Sequence, residues 1–286
     1  MASMKPLGTL INDSIKFVQV HLVVLIVGVV VFGFLSQGVG WWIAGSAGMG
    51  MGQNFAAWQN QLESTGQKMK ELQNKAMQGG LDAESQKQME ALGKQMAEQS
   101  MQGASMMGGV LRSMLPTIGI SVLLMIAIMA IAKSYFLVVA VKGMTDPAAA
   151  LQATMMWLLP LIGLWIWLAL RTFIWIPVIG IIVAIILGPR FLLSPLYLLE
   201  HNKGAMEAAR MSYAKTKGYW GKIFGNALVF GIVTMVCAAV ISKILVGILG
   251  LMAGGFLAAM ITQFAGALLV VFSMQLARTV MENSRA

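Results

Sequence analysis

Few side chains in this 286-residue chain are suited to chemistry, and they are scattered. The histidines are His21 and His201 and the lone cysteine is Cys237. That set gives no intramolecular disulfide and argues against a Cys/His zinc site. Methionine is abundant, 24 in all, with nine between Met49 and Met107. Thioethers select Cu(I), but no tight Met-x-x-Met array with His or Cys accompanies them. Flexible methionines also line adaptable contact surfaces, and the methionines of this stretch are expected to do so. No Gly-x-Ser-x-Gly elbow and no Gly-x-x-x-x-Gly-Lys phosphate loop occurs. Gly48-Met49-Gly50-Met51-Gly52 lacks the dinucleotide-binding spacing and follows an apolar run rather than a strand. With no nucleophile–base pattern, the residues point away from an enzyme, and no cofactor or metal is expected.

What remains are cations inside apolar runs: Lys133, Arg190 and Lys243. An intramembrane charge is costly and marks a functional position by default. Lys133 lies nine residues before Lys142 and Lys243 lies near a span end, so both are expected to snorkel. Arg190 is ten residues, or about 15 Å along a helix, from Glu200, too far for the two to pair on one straight helix. It follows Gly188-Pro189, where helix hydrogen bonds are disrupted and carbonyls become free. Two roles fit. Arg190 caps those carbonyls, or it faces a wet cavity and holds a phosphate or carboxylate, as in a transporter or lipid-handling protein.

The elements that must position these residues are apolar. The chain is 58% hydrophobic and 11% charged, with mean hydropathy +0.78; a soluble domain is about 45–50% apolar and about 25% charged. A bilayer-spanning helix needs about 20 apolar residues. Six runs are candidates, the third of them short and holding Pro160: Leu22–Ala44, Leu115–Val141, Met155–Leu170, Trp175–Leu199, Phe224–Ile248 and Leu251–Met274. The first is too long, and begins too far into the chain, for a signal peptide. The fold class expected is therefore all-α, a polytopic membrane helix bundle with interfacial amphipathic helices.

Ten basic side chains, from Lys5 to Arg285, fall on one side of this topology against five acidic ones. On the other side, Ile43–Arg112 carries six of each. The positive-inside rule then places both termini in the cytoplasm. The net charge of +9 reads as a topology and anionic-headgroup signal. It does not read as a nucleic-acid signal, which wants a basic soluble face. The stretch 203–222, with Arg210, Lys215, Lys217 and Lys222, is the basic amphipathic helix of that side.

Three divisions follow. Residues 1–44 hold an interfacial helix and the first span, 45–112 form a polar insertion, and 113–286 form a five-span bundle. Within the insertion Phe55, Trp58, Leu62, Met69, Leu72 and Ala76 follow an a/d spacing with Thr65 as its polar member. Met89, Leu92 and Met96 share one face of a second helix, after Gly79-Gly80. The expectation is an extracytoplasmic helical hairpin on glycine hinges, which needs something to pack against and so offers a protein partner a surface. Three segments, Leu10–Ile26, Ala150–Trp165 and Ala208–Phe224, each lead an amphipathic stretch bearing Ser14, Thr154 or Ser212 into a span, as three related units would. Ala258, Thr262 and Gly266 recur every four residues and allow close helix approach, within the chain or in a homo-oligomer.

The run Pro177–Phe224 carries Gly188-Pro189-Arg190, Pro195, Glu200, Ala208-Ala209-Arg210-Met211-Ser212 and Lys217-Gly218-Tyr219-Trp220. It resembles a broad bacterial family of six-span membrane proteins that includes the membrane domain attached to some glycerophosphoryl diester phosphodiesterases. Leu7–Ile26 resembles that family's entry helix more weakly. The insertion departs from the family pattern, and no phosphodiesterase domain is present. The resemblance implies a fold and a bacterial cytoplasmic (inner) membrane, without hydrolase activity. It singles out Arg190, Pro195, Glu200, Ser212, Lys217 and Trp220 as candidate ligand or structural residues. Function is read as adaptor or accessory subunit of a cell-envelope assembly. The topology is tested by a single cysteine at Gln86 in a Cys237→Ala background. Membrane-impermeant reagents should label it from the extracytoplasmic side, and labelling only from the cytoplasmic side would overturn the assignment.

Overall fold

The computed structural model describes residues 4–79, 82–173 and 183–284. The described residues are helices and turns, with no strand among them. The elements are α1 (Leu7–Val20), α2 (Leu22–Gly79), α3 (Ala83–Lys142), α4 (Pro147–Phe173), a 3-10 turn (Gly188–Phe191), α5 (Ser194–His201), α6 (Ala205–Lys215) and α7 (Trp220–Asn283). Five stretches are long and apolar enough to cross a membrane: Leu22–Trp42, Leu115–Lys142, Pro147–Thr172, Val183–His201 and Trp220–Asn283. Leu123, Leu159 and Ile248 are among many large apolar side chains standing exposed on them. A soluble monomer rarely shows so much contiguous apolar surface, and a bilayer accounts for it.

Several expected boundaries move. The third span begins at Pro147, not Met155, because the amphipathic stretch and the apolar run are one helix. Asp146 caps its start, its carboxylate accepting from the Ala149 N–H at 2.8 Å, with Pro147 at the first helical position. Pro160 lies inside α4 without ending it. Residues 174–182, where the fourth span was expected to begin, lie outside the described residues. The stretch 203–222 is not one helix: α6 ends at Lys215 and α7 starts at Trp220, with Gly218 at φ +91° between them.

The last two expected spans form one element. At 1.5 Å per residue, 64 residues would run about 96 Å if straight, some three times the hydrocarbon thickness. Gly250, at φ 75° and ψ 175°, breaks it; that conformation is open to glycine and strained for any other residue. The two arms fold back on each other, with Phe230 stacked on Phe272 at 4.0 Å between ring centroids. Gly254 lies so close to the opposite arm that a Cβ there would meet Val246 Cα at 2.5 Å and the Leu245 oxygen at 2.6 Å.

The chain divides into two compact units, one of Met1–Gln37 with Ile126–Ala286 and one of Gly38–Met125. In the first, every residue from Ser134 to Val141 is buried, as are most from Phe191 to Leu199 and from Val271 to Met281. Burial around the whole helix, rather than along a stripe, makes the C-terminal ends of α3, α5 and α7 the centre of this unit. Arg278 ties the three together, donating to the Val141 carbonyl at 2.8 Å and to Glu200 at 3.3 Å. Tyr135 donates its hydroxyl to the Val24 carbonyl at 2.9 Å. Around this centre sit the entry helices: α1 packs on α7, and α6 packs on α5 and α4.

In the second unit, α2 and α3 run antiparallel. Trp58, Leu62, Met69 and Leu72 are half-buried on one side and Met89, Leu92 and Met96 on the other, with Thr65 and Gln99 buried. Trp58 Nε1 donates to the Gln99 carbonyl at 3.1 Å. The side chains of Phe55 and Ala76 lie outside the described residues. The helix stops at Gly79 as expected, but the glycine margins are not hinges. α2 runs unbroken through Gly45–Gly52 and α3 through Gly103–Gly109. A glycine weakens a helix by about 1 kcal/mol without breaking its hydrogen bonds.

In the stripe Ala258, Thr262, Gly266, the glycine makes no close approach within the chain: a Cβ at Gly266 would meet nothing within 4 Å, whereas one at Gly254 would meet the opposite arm. Gly254→Ala should therefore cost roughly 1–3 kcal/mol, lowering the melting temperature in mild detergent by several degrees, while Gly266→Ala leaves it unchanged. Equal melting temperatures for both variants would contradict this packing.

Candidate functional site

Pro189 has no N–H to offer the Ile185 carbonyl, and here the chain tightens into the 3-10 turn and restarts at Ser194 with Pro195 in the first turn of α5. The groups left open by this break are closed from α6 and α7. Ser212 Oγ donates to the Arg190 carbonyl at 2.7 Å and accepts from the Leu193 N–H at 3.1 Å. Thr216 Oγ1 lies 3.1 Å from the same carbonyl and 2.8 Å from the Ser212 carbonyl. Trp220 Nε1 donates to the Ile186 carbonyl at 2.7 Å. Ser212 and Thr216 are fully buried.

Of the residues singled out in sequence, Ser212, Trp220 and the backbone of Arg190 are thus brought together. The Arg190 side chain is not the cap. Its guanidinium lies 5.3 Å from the Tyr213 ring centroid, and hydroxyls, shorter and already aimed inward from α6, reach the carbonyl instead. Glu200 is drawn to Arg278. Pro195 lines the groove beside the break. Lys217 stands exposed in the turn before Gly218 and joins none of these groups. Thr216 was missed, although the signal was present: it follows Ser212 by four residues and so shares its helix face.

The groove beside the break has a volume of about 540 Å³. Its walls come from α3, α4, the 3-10 turn, α5 and the second arm of α7, with Trp165, Phe191 and Leu269 among its apolar residues. Its charged residue is Lys133, not Arg190. The Lys133 ammonium does not reach back along α3 toward Lys142 but lies 4.8 Å from the Trp165 ring centroid. Thr172 and Ser273 add hydroxyls to the lining. A smaller pocket of about 340 Å³ lies between Tyr197, His201, Lys203 and Lys215. There Lys203 pairs with Glu207 at 2.7 Å, and Lys215 reaches the Ser284 carbonyl at 3.4 Å.

No family model, no curated protein and no solved structure matches the chain.

The division of labour at the break gives an ordering of effects. Ser212→Ala strips the Leu193 N–H of its partner in a buried place, at a cost of about 1–3 kcal/mol. Arg190→Gln removes a cation–π contact worth about 0.5–1 kcal/mol at a partly open site. Thermal unfolding in detergent should show the larger loss for Ser212→Ala; a larger loss for Arg190→Gln would return the capping role to arginine.

Proposed function

We propose that this chain is a non-enzymatic, multi-pass protein of a bacterial cytoplasmic membrane that works as an adaptor or accessory subunit of a cell-envelope assembly. The supporting observation is the unit Gly38–Met125, two long antiparallel helices holding each other by a thin apolar seam. Outside that seam their faces are rich in Gln, Glu and Lys. Among the described residues such a pair carries no group of metal-ligating side chains, and what it offers is length and surface. In the other unit Ser212, Thr216 and Arg278 are used within the fold: hydroxyls on carbonyls, and Arg278 on Glu200 and Val141.

On this reading the chain crosses the bilayer six times, the two arms of α7 counting once each. An even number of crossings puts both termini on one side, and the basic excess makes that side cytoplasmic. Residues 43–112 are then extracytoplasmic. The likeness of Pro177–Phe224 to the six-span bacterial family supports the same arrangement. Membrane lipids are its constant partners, with anionic headgroups beside Arg210, Lys215 and Lys222.

Deleting Gln53–Gln102 tests the assignment. The shortened protein should still insert, and should melt in detergent within a few degrees of the full chain. An envelope protein that co-purifies with the full chain should be lost. Failure to insert, or immediate degradation, would make the helical pair a structural element and remove the main support for an adaptor.

A further inference from the structure

We propose that the groove at Lys133 is a binding site for an anionic phospholipid of the surrounding bilayer, with the lipid phosphate on the Lys133 ammonium and an acyl chain along Leu168 and Leu269. The proposal rests on the reading that these helices cross a membrane, and it is independent of the adaptor role.

Charge carries the argument. The chain has no Asp or Glu between Glu98 and Asp146, between Asp146 and Glu200, or between Glu207 and Glu282. Every wall of the groove comes from these carboxylate-free stretches. Lys133 therefore has no protein counter-ion at its level, while Glu200 is engaged with Arg278. Nine residues, or about 14 Å of helix, separate Lys133 from Lys142. The Lys133 side chain is exposed at this level of α3, open to an anionic group from the surrounding bilayer that would compensate its charge. The Trp165 ring face supplies part of that compensation and also fixes where the ammonium sits. The Thr172 and Ser273 hydroxyls line the same space.

Shape and position name the source. A volume of about 540 Å³ lies within the range of about 300–1,000 Å³ typical of ligand sites. The lining is apolar apart from Lys133 and the hydroxyls, as a headgroup-plus-chain molecule requires. The groove is built from membrane-length helices, so its ligand arrives from the bilayer.

The full chain, purified in mild detergent, is given phosphatidylglycerol or phosphatidylcholine with identical acyl chains, and native mass spectrometry counts the retained lipid. Wild type should retain phosphatidylglycerol about fivefold over phosphatidylcholine, the factor one cation contributes near a lipid surface. Lys133→Gln should bring the ratio to about one, Lys133→Arg should keep most of it, and Lys243→Gln should leave it unchanged. Should Lys133→Gln fail to fold, Ala169→Phe fills the groove with the lysine in place and should lose the lipid equally. Equal retention of both lipids by wild type, or a preference that survives Lys133→Gln or Ala169→Phe, would overturn the site. Displacement of phosphatidylglycerol by equimolar oleate would assign the groove to a fatty acid and overturn the phospholipid. Deletion of Gln53–Gln102 leaves the groove intact, so either reading can fail alone.

Discussion

A proline in the middle of an apolar run leaves backbone groups that nothing nearby in sequence can satisfy. In hydrocarbon an unpaired carbonyl or amide costs several kcal/mol, so the break at Pro189 fixes what must surround it. The Ser212 hydroxyl meets this constraint by serving as donor to Arg190 and acceptor from Leu193 at once. Trp220 closes the carbonyl at Ile186. Because these groups belong to α6 and the start of α7, the break determines where the last hairpin enters the bundle. Gly250 then turns that hairpin back, and its second arm carries Arg278 to the ends of α3 and α5.

The three entry segments show how one device is adapted. Ser14, Thr154 and Ser212 are all buried, and so are the residues four positions earlier, Leu10, Ala150 and Ala208. Ser14 and Thr154 each donate to the carbonyl of that earlier residue at 2.7 Å, the local bond that a hydroxyl makes in an unbroken helix. Ser212 reaches across to another segment instead, where the 3-10 turn places the Arg190 carbonyl within its reach. The likeness in sequence is therefore a likeness in placement, with the hydrogen bond redirected in the third unit.

Local features were legible in the sequence and long-range ones were not. Apolar run length identified the membrane-length helices, and the a/d spacing marked the seam at Trp58, Leu62, Met69 and Leu72. Both depend on a period within one helix. Which helix lies beside which is not written in any such period. Hence the sequence marks Lys133 as a snorkelling residue and Arg190 as the charge of interest, whereas Trp165, thirty-two residues from Lys133 in sequence, decides where the lysine goes. The glycines that matter were likewise hidden. Gly266 sits in a small-residue stripe with open space where a Cβ would stand, while Gly254 touches the opposite arm only because Gly250 turns the chain. Glycine-rich margins suggested hinges at 45–52 and 103–109, but helix hydrogen bonding continues through both.

Backbone hydrogen exchange around the break tests this account most directly. Peptides covering Leu193 should exchange slowly in the wild-type protein and distinctly faster in Ser212→Ala, while peptides over Val271–Val280 keep their wild-type rates. Unchanged exchange at Leu193 in Ser212→Ala would show that the hydroxyl does not hold the break, and the account built on it would fall.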